Sequence, residues 1–80
     1  MITKEQCRAA RALLGWSRKQ LAEKAGVSER TITDFERGAR SPIASSLKAL
    51  RCALENAGVE FIPENGGGAG VRLSNKLHNE

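Results

Sequence analysis

The sequence predicts a mostly α-helical bundle of four to five helices, closed by a short carboxy-terminal β-hairpin. Three observations carry that reading. Hydroxyl residues at positions 3, 17 and 28 each stand just before an apolar helical period. Glycines at 15, 26, 38 and 58 stand where such periods end. Beyond Gly58 the pattern changes to two short β-prone runs separated by a glycine-rich stretch.

The first helix start is Ile2-Thr3-Lys4-Glu5-Gln6-Cys7, with Thr3 as a capping hydroxyl, Gln6 three residues later, and Ile2 and Cys7 as the apolar flanks. Trp16-Ser17-Arg18-Lys19-Gln20-Leu21 repeats the arrangement. Val27-Ser28-Glu29-Arg30-Thr31-Ile32 keeps the cap and the apolar pair but has Thr31 in place of the glutamine. The hydroxyl satisfies an orphan amide, the glutamine returns the bond, and the apolar pair fixes the entry angle. Helices are therefore expected to start near 4, 18 and 29. Gly15, Gly26 and Gly38 can each end one in the left-handed conformation. A fourth helix is expected over residues 44–57, after Pro42, because Leu47, Leu50, Leu54 and Ala57 form an amphipathic stripe. Residues 59–63 and 71–73 read as strands of a hairpin. Residues 74–80 are polar and are expected to form a flexible tail.

Composition narrows the function. The chain of 80 residues fits one domain, since domains centre on about 100 residues or more. So short a chain buries a modest share of its surface, and a second copy would add stability. No stretch is long and apolar enough to cross a membrane, and no apolar amino-terminal leader is visible, so a cytoplasmic location is expected. Cys7 and Cys52 both lie inside apolar helical patterns, so both are expected to be small, buried and reduced; a disulfide or redox pair is the less favoured reading. With two cysteines and His78 alone, four zinc ligands are lacking, and no cofactor is expected. The net charge of +4 is uneven: residues 1–56 hold eleven Lys and Arg against six Asp and Glu, and residues 57–80 hold two against three. A basic helical part is weak evidence for a polyanionic partner.

Catalysis has no support. The single histidine lies in the tail, tyrosine is absent, and no carboxylate is matched with a nucleophile and base. Gly66-Gly67-Gly68-Ala69-Gly70 lacks the helix or Gly-Lys-Ser/Thr continuation that a phosphate cradle needs, so it reads as a hairpin loop.

The stretch from 16 to 38 carries the functional signal. Ala22 falls where two helices must approach closely, Gly26 falls in their turn, and Leu21, Ala25, Val27, Ile32 and Phe35 supply the interior. These are the requirements of a helix-turn-helix unit. At about 100° per residue, Ile32 and Phe35 share one side of helix 29–37, while Glu29, Arg30, Thr33, Asp34 and Arg37 share a roughly 140° arc on the other. Ser17 and Arg18 stand at the amino terminus of the preceding helix, where free amides suit a phosphate. An ordinary helical hairpin with a solvated outer face is the competing reading.

The segment resembles the DNA-binding domain of lambda-repressor/Cro-type (XRE-like) regulators. The resemblance rests on Arg18, Gln20-Leu21-Ala22, Ala25-Gly26-Val27-Ser28, Thr31-Ile32 and Phe35-Glu36-Arg37-Gly38. It extends back through Arg11 and Leu13-Leu14-Gly15-Trp16-Ser17 and forward through Pro42 and the 47–54 stripe, covering residues 3–57. It implies a lambda-repressor-like bundle with a DNA-binding domain at 1–57 and a hairpin at 58–73 as a dimerisation element. It further implies that helix 29–37 reads bases through Glu29, Arg30 and Thr33, with Arg30 suited to guanine. Relatives often have glutamine at 29; glutamate can only accept, which favours a cytosine amino group. Ser17, Arg18, Ser28, Arg37 and Arg40 match phosphate-gripping positions, and Arg11 and Glu36 match a structural ion pair. Asp34 is left as a rim residue.

The implied partner is double-stranded DNA with a palindromic operator, bound by a homodimer whose recognition helices stand about 34 Å apart. Val59, Phe61, Val71 and Leu73 form one apolar face of the hairpin and are the candidate dimer interface; a hairpin that merely covers Leu50 and Leu54 is the alternative. Repression by blocking a promoter, at the nucleoid, is the simplest expected activity. An antitoxin with a toxin partner and a protein-interaction adaptor without DNA binding are the alternatives.

Overall fold

The computed structural model describes residues 2–74. Its described elements run α1 (Lys4–Leu14), α2 (Arg18–Ala25), α3 (Glu29–Glu36), α4 (Ala44–Asn56), β1 (Val59–Ile62) and β2 (Gly70–Leu73). The starts follow from the caps. Thr3 Oγ1 accepts from the Gln6 amide at 3.0 Å and Gln6 Oε1 accepts from the Thr3 amide at 2.9 Å. Ser17 and Gln20 repeat the exchange at 3.0 and 2.8 Å. At α3 the Ser28 hydroxyl accepts from the Thr31 amide at 3.0 Å, and the two hydroxyls lie 2.8 Å apart, so Thr31 joins the cap without returning a backbone bond. Helix α4 begins after Ile43, which offers no capping side chain and stands 72% exposed.

Apolar residues of all four helices meet in one core. Cys7 and Ala10 of α1, Leu21 of α2, Ile32 of α3, and Leu50 and Leu54 of α4 are fully buried, with Ile2, Ala22 and Phe35 nearly so. Val59 of β1 belongs to the same cluster, and Trp16, Leu47, Phe61, Val71 and Leu73 pack around it. Helices and hairpin therefore form one packed unit.

The hairpin is antiparallel, with Val59 opposite Leu73, Glu60 opposite Arg72, Phe61 opposite Val71 and Ile62 opposite Gly70. Alternation puts Glu60 and Arg72 on the solvent face, where they pair at 2.6 Å. The apolar face turns onto α1 and α4. A two-stranded hairpin is marginal alone, and this burial is what supports it. Gln6 adds a polar clamp: its Nε2 donates to the carbonyls of Ile62 at 3.2 Å and Gly70 at 3.0 Å, holding both strands at their last pair.

Val59 is buried, and Phe61, Val71 and Leu73, half-buried, pack around the core beside α1 and α4. One sequence expectation changes. Cys52 is exposed, not buried, because it lies two residues and about 200° beyond Leu50 on α4. The expected tail begins at Ser74, whose amide donates to the Gly58 carbonyl at 2.6 Å. The rest of that tail, residues 75–80 with His78, lies outside the described residues.

Candidate nucleic-acid interface

Helices α2 and α3 are joined by a sharp turn at Gly26, whose φ of +71° lies in the left-handed region. A side chain added there would meet nothing within 4 Å, so conformation and not space demands the glycine. Its amide and that of Val27 both donate to the Ala22 carbonyl, at 2.9 and 3.2 Å, which closes α2 and starts the turn. Leu21 and Ala22 then pack on Ile32 and Phe35, fixing α3 by its apolar side.

The opposite side of α3 faces out. Glu29, Arg30 and Arg37 are exposed, and Thr33 and Asp34 are half-buried. Among the described residues the Glu29 carboxylate has no ionic or hydrogen-bond partner. The Thr33 hydroxyl donates to the Glu29 carbonyl at 3.1 Å, leaving its methyl and lone pairs for outside contacts. Arg30 is 84% exposed along its side chain, and its Nε sits 3.2 Å from Asp34 Oδ2. Sequence reasoning missed this link, although an Arg–Asp pair at i, i+4 on one helix face is a readable signal.

Beneath this surface lies an ionic cluster on Glu36, which is 2% exposed. Arg11 approaches it with two donors, Nε to Oε2 at 2.8 Å and Nη2 to Oε1 at 2.7 Å, and its Nη1 donates to the Trp16 carbonyl at 3.0 Å. Arg18 Nε donates to Glu36 Oε1 at 3.1 Å, and the Cys7 thiol donates to Oε2 at 3.2 Å. Burial works to raise the Glu36 carboxyl, but the bonds from Arg11, Cys7 and Arg18 outweigh it and hold the carboxyl below the ordinary carboxylate range. The bond to Glu36 raises Arg11 further above its already high value. Burial, then the bond to Glu36, pushes the Cys7 thiol up to about 12.

The cluster modifies the reading of Arg18. It stands at the amino end of α2 as expected, but its Nε is tied to Glu36, and its side chain remains 36% exposed. Ser17 and Ser28 are exposed at the amino ends of α2 and α3, each serving as a cap. Arg37 and Arg40 are exposed after the carboxyl end of α3, and the Arg40 amide donates to the Asp34 carbonyl at 3.3 Å. The base-reading candidates thus share one face, and the phosphate candidates lie at helix ends before and after it. Sequence reasoning missed Cys7 as a member of the cluster, although its i, i+4 spacing to Arg11 places both on one side of α1. Gln6 had no sequence signal beyond its cap.

The helix-turn-helix family model designated HTH_3 matches residues 8–59, well over half of the chain. No curated protein matches. Among solved structures, a chain of a SinR protein/SinI protein complex is similar at a TM-score of 0.62 and 27% identity, covering 68% of this chain and 53% of that chain. This chain therefore spans about half the length of that relative. With the turn at Gly26 and the exposed face of α3, these matches lead to one conclusion: the chain belongs to the XRE-like helix-turn-helix family of DNA-binding regulators.

Proposed function

We propose that this chain is a sequence-specific double-stranded DNA-binding regulator, acting as a repressor, and that two copies bind a palindromic operator. The observation that carries the reading is the two-sided character of α3. Ile32 and Phe35 lock it to the core, and the exposed Glu29 and Arg30 stand with Thr33 on the other side. With α3 in the major groove, Arg30 meets guanine O6 and N7, Glu29 accepts from a cytosine amino group, and Thr33 touches a base edge or a thymine methyl. Ser17, Arg18, Ser28, Arg37 and Arg40 contact phosphates, fix the register and supply much of the affinity in a salt-dependent way.

The test is selection from random duplex DNA at about 0.15 M salt, with Arg30→Ala run alongside. A palindromic site is expected, with one base relaxed per half-site in the variant at a cost of about 1–3 kcal/mol per contact. Weak, salt-sensitive binding without an enriched sequence would sink the reading. A second reading, in which the chain also binds a protein as an antitoxin or adaptor does, is favoured by one observation: the similar solved chain is part of a complex of two proteins. Binding of a specific protein ligand that Arg30→Ala retains would support it, with wild-type DNA selectivity pointing to the antitoxin and its absence to the adaptor.

A further inference from the structure

Asp34 faces outward from the proposed DNA-reading helix, yet it carries the charge that phosphates repel. Its side chain is only 16% exposed, because it sits in a crevice between α3 and the segment leading to α4, lined by Arg30, Thr31, Arg40, Pro42 and Ile43. The backbone there is fixed too: the Asp34 carbonyl accepts from the amides of Ala39 at 2.8 Å and Arg40 at 3.3 Å. Asp34 thus offers a largely buried carboxylate on a backbone tied down by two amides, and Arg30 is the exposed partner that reaches it.

The contact has a specific form. Arg30 Nε donates to both Asp34 oxygens, at 3.3 and 3.2 Å. Nε is the inner donor of the guanidinium, so this bond leaves the two terminal nitrogens without a partner among the described residues, on a side chain that is 84% exposed, free to act as a fork. Guanine offers two acceptors, O6 and N7, on its major-groove edge, which is the pattern such a fork fits. A free arginine would have to give up rotamer freedom to present it. The pairing also neutralises Asp34, so the acid no longer opposes the approach of a phosphate backbone.

We propose that Asp34 is a positioning residue for base recognition: it holds the Arg30 guanidinium by Nε in the orientation that reads guanine end-on. The inference rests on the DNA-binding reading above. Its consequence is that selectivity at one base depends on a residue that does not touch DNA.

The experiment is parallel selection and competition binding on random duplex DNA with wild type, Arg30→Ala, Asp34→Ala and Asp34→Asn. The pair is exposed on the Arg30 side, so thermal unfolding of the Asp34 variants should stay close to wild type. Asp34→Ala should lose preference at the base that Arg30→Ala relaxes, with guanine discrimination falling roughly tenfold. Its affinity for unrelated DNA should not fall, since a negative charge has been removed. Asp34→Asn, which keeps an acceptor, should restore part of the preference. Wild-type discrimination in Asp34→Ala, while Arg30→Ala relaxes its base, would overturn this inference and leave the DNA-binding reading standing. Relaxation at a different base would also overturn it, since Asp34 would then read a base itself. A wild type that selects no sequence would overturn both.

Discussion

Replacing Glu36 by glutamine tests the cluster that fastens α3 to the rest of the molecule. The substitution removes the charge and keeps the shape, leaving Arg11 facing a neutral amide inside the protein. Breaking a buried ion pair from one side costs about 3–5 kcal/mol. Arg11 is 17% exposed and Arg18 36% exposed along their side chains, so both regain some water and Arg18 adds little. The low end applies, about 3 kcal/mol. A domain of this size has a total stability of roughly 4–12 kcal/mol, so the variant would lose about a quarter to three quarters of it. The expected fall in Tm is roughly 12–24 °C.

The pH dependence gives an independent check. The folded-state Glu36 carboxyl is held below its unfolded value, so its stabilisation is present above the unfolded carboxylate pKa of about 4.3. It is lost as pH falls through the folded value, where the carboxyl protonates and resembles glutamine. Urea unfolding followed by Trp16 fluorescence, at about pH 7 and stepwise into acid, would measure both effects. The gap between wild type and Glu36→Gln should close as pH falls. A loss below about 1 kcal/mol at neutral pH with an unchanged denaturant slope, or a gap that acid leaves untouched, would refute the reasoning.

Gln6→Ala removes half of the α1 capping box and both bonds to the hairpin carbonyls, so about 1–2 kcal/mol of stability should be lost. Amide exchange should quicken in β1 and β2 while α2 and α3 keep their protection, and unchanged strand amides would count against the clamp. The two thiols should separate kinetically: in the native protein an alkylating reagent modifies exposed Cys52, and Cys7 reacts only after unfolding. Because the folded Cys7 thiol is raised to about 12, its contribution is complete below the unfolded thiol value of about 8.5 and is lost as pH rises toward 12. Stability should therefore fall across that alkaline window, and less so in Cys7→Ala.

What the sequence determined by itself is the local structure. Thr3 with Gln6, Ser17 with Gln20, and Ser28 with Thr31 make their bonds across three residues, so each start was written in a window of about one helical turn. The turn at Gly26 and the stripe through Leu50 and Leu54 are equally local, as is the outward arc of α3. Even the Arg11–Glu36 pair entered through the resemblance, since its partners are 25 positions apart.

Only the tertiary structure decided the rest. Gln6 spans 56 and 64 positions to reach Ile62 and Gly70, and nothing near it in sequence states where the hairpin lands. Alternation gave the hairpin an apolar face but not the surface that face would cover; the packing of Val59 into the core, with Phe61, Val71 and Leu73 half-buried beside α1 and α4, was set by the tertiary structure. Arg18 joined Glu36, and Asp34 became a largely buried carboxylate, because α1, α2 and α3 converge on one side chain and the lead-in to α4 folds over α3. A backbone bond made within one helical turn is set by its neighbours, whereas a side chain's long-range partner is set by how whole elements pack.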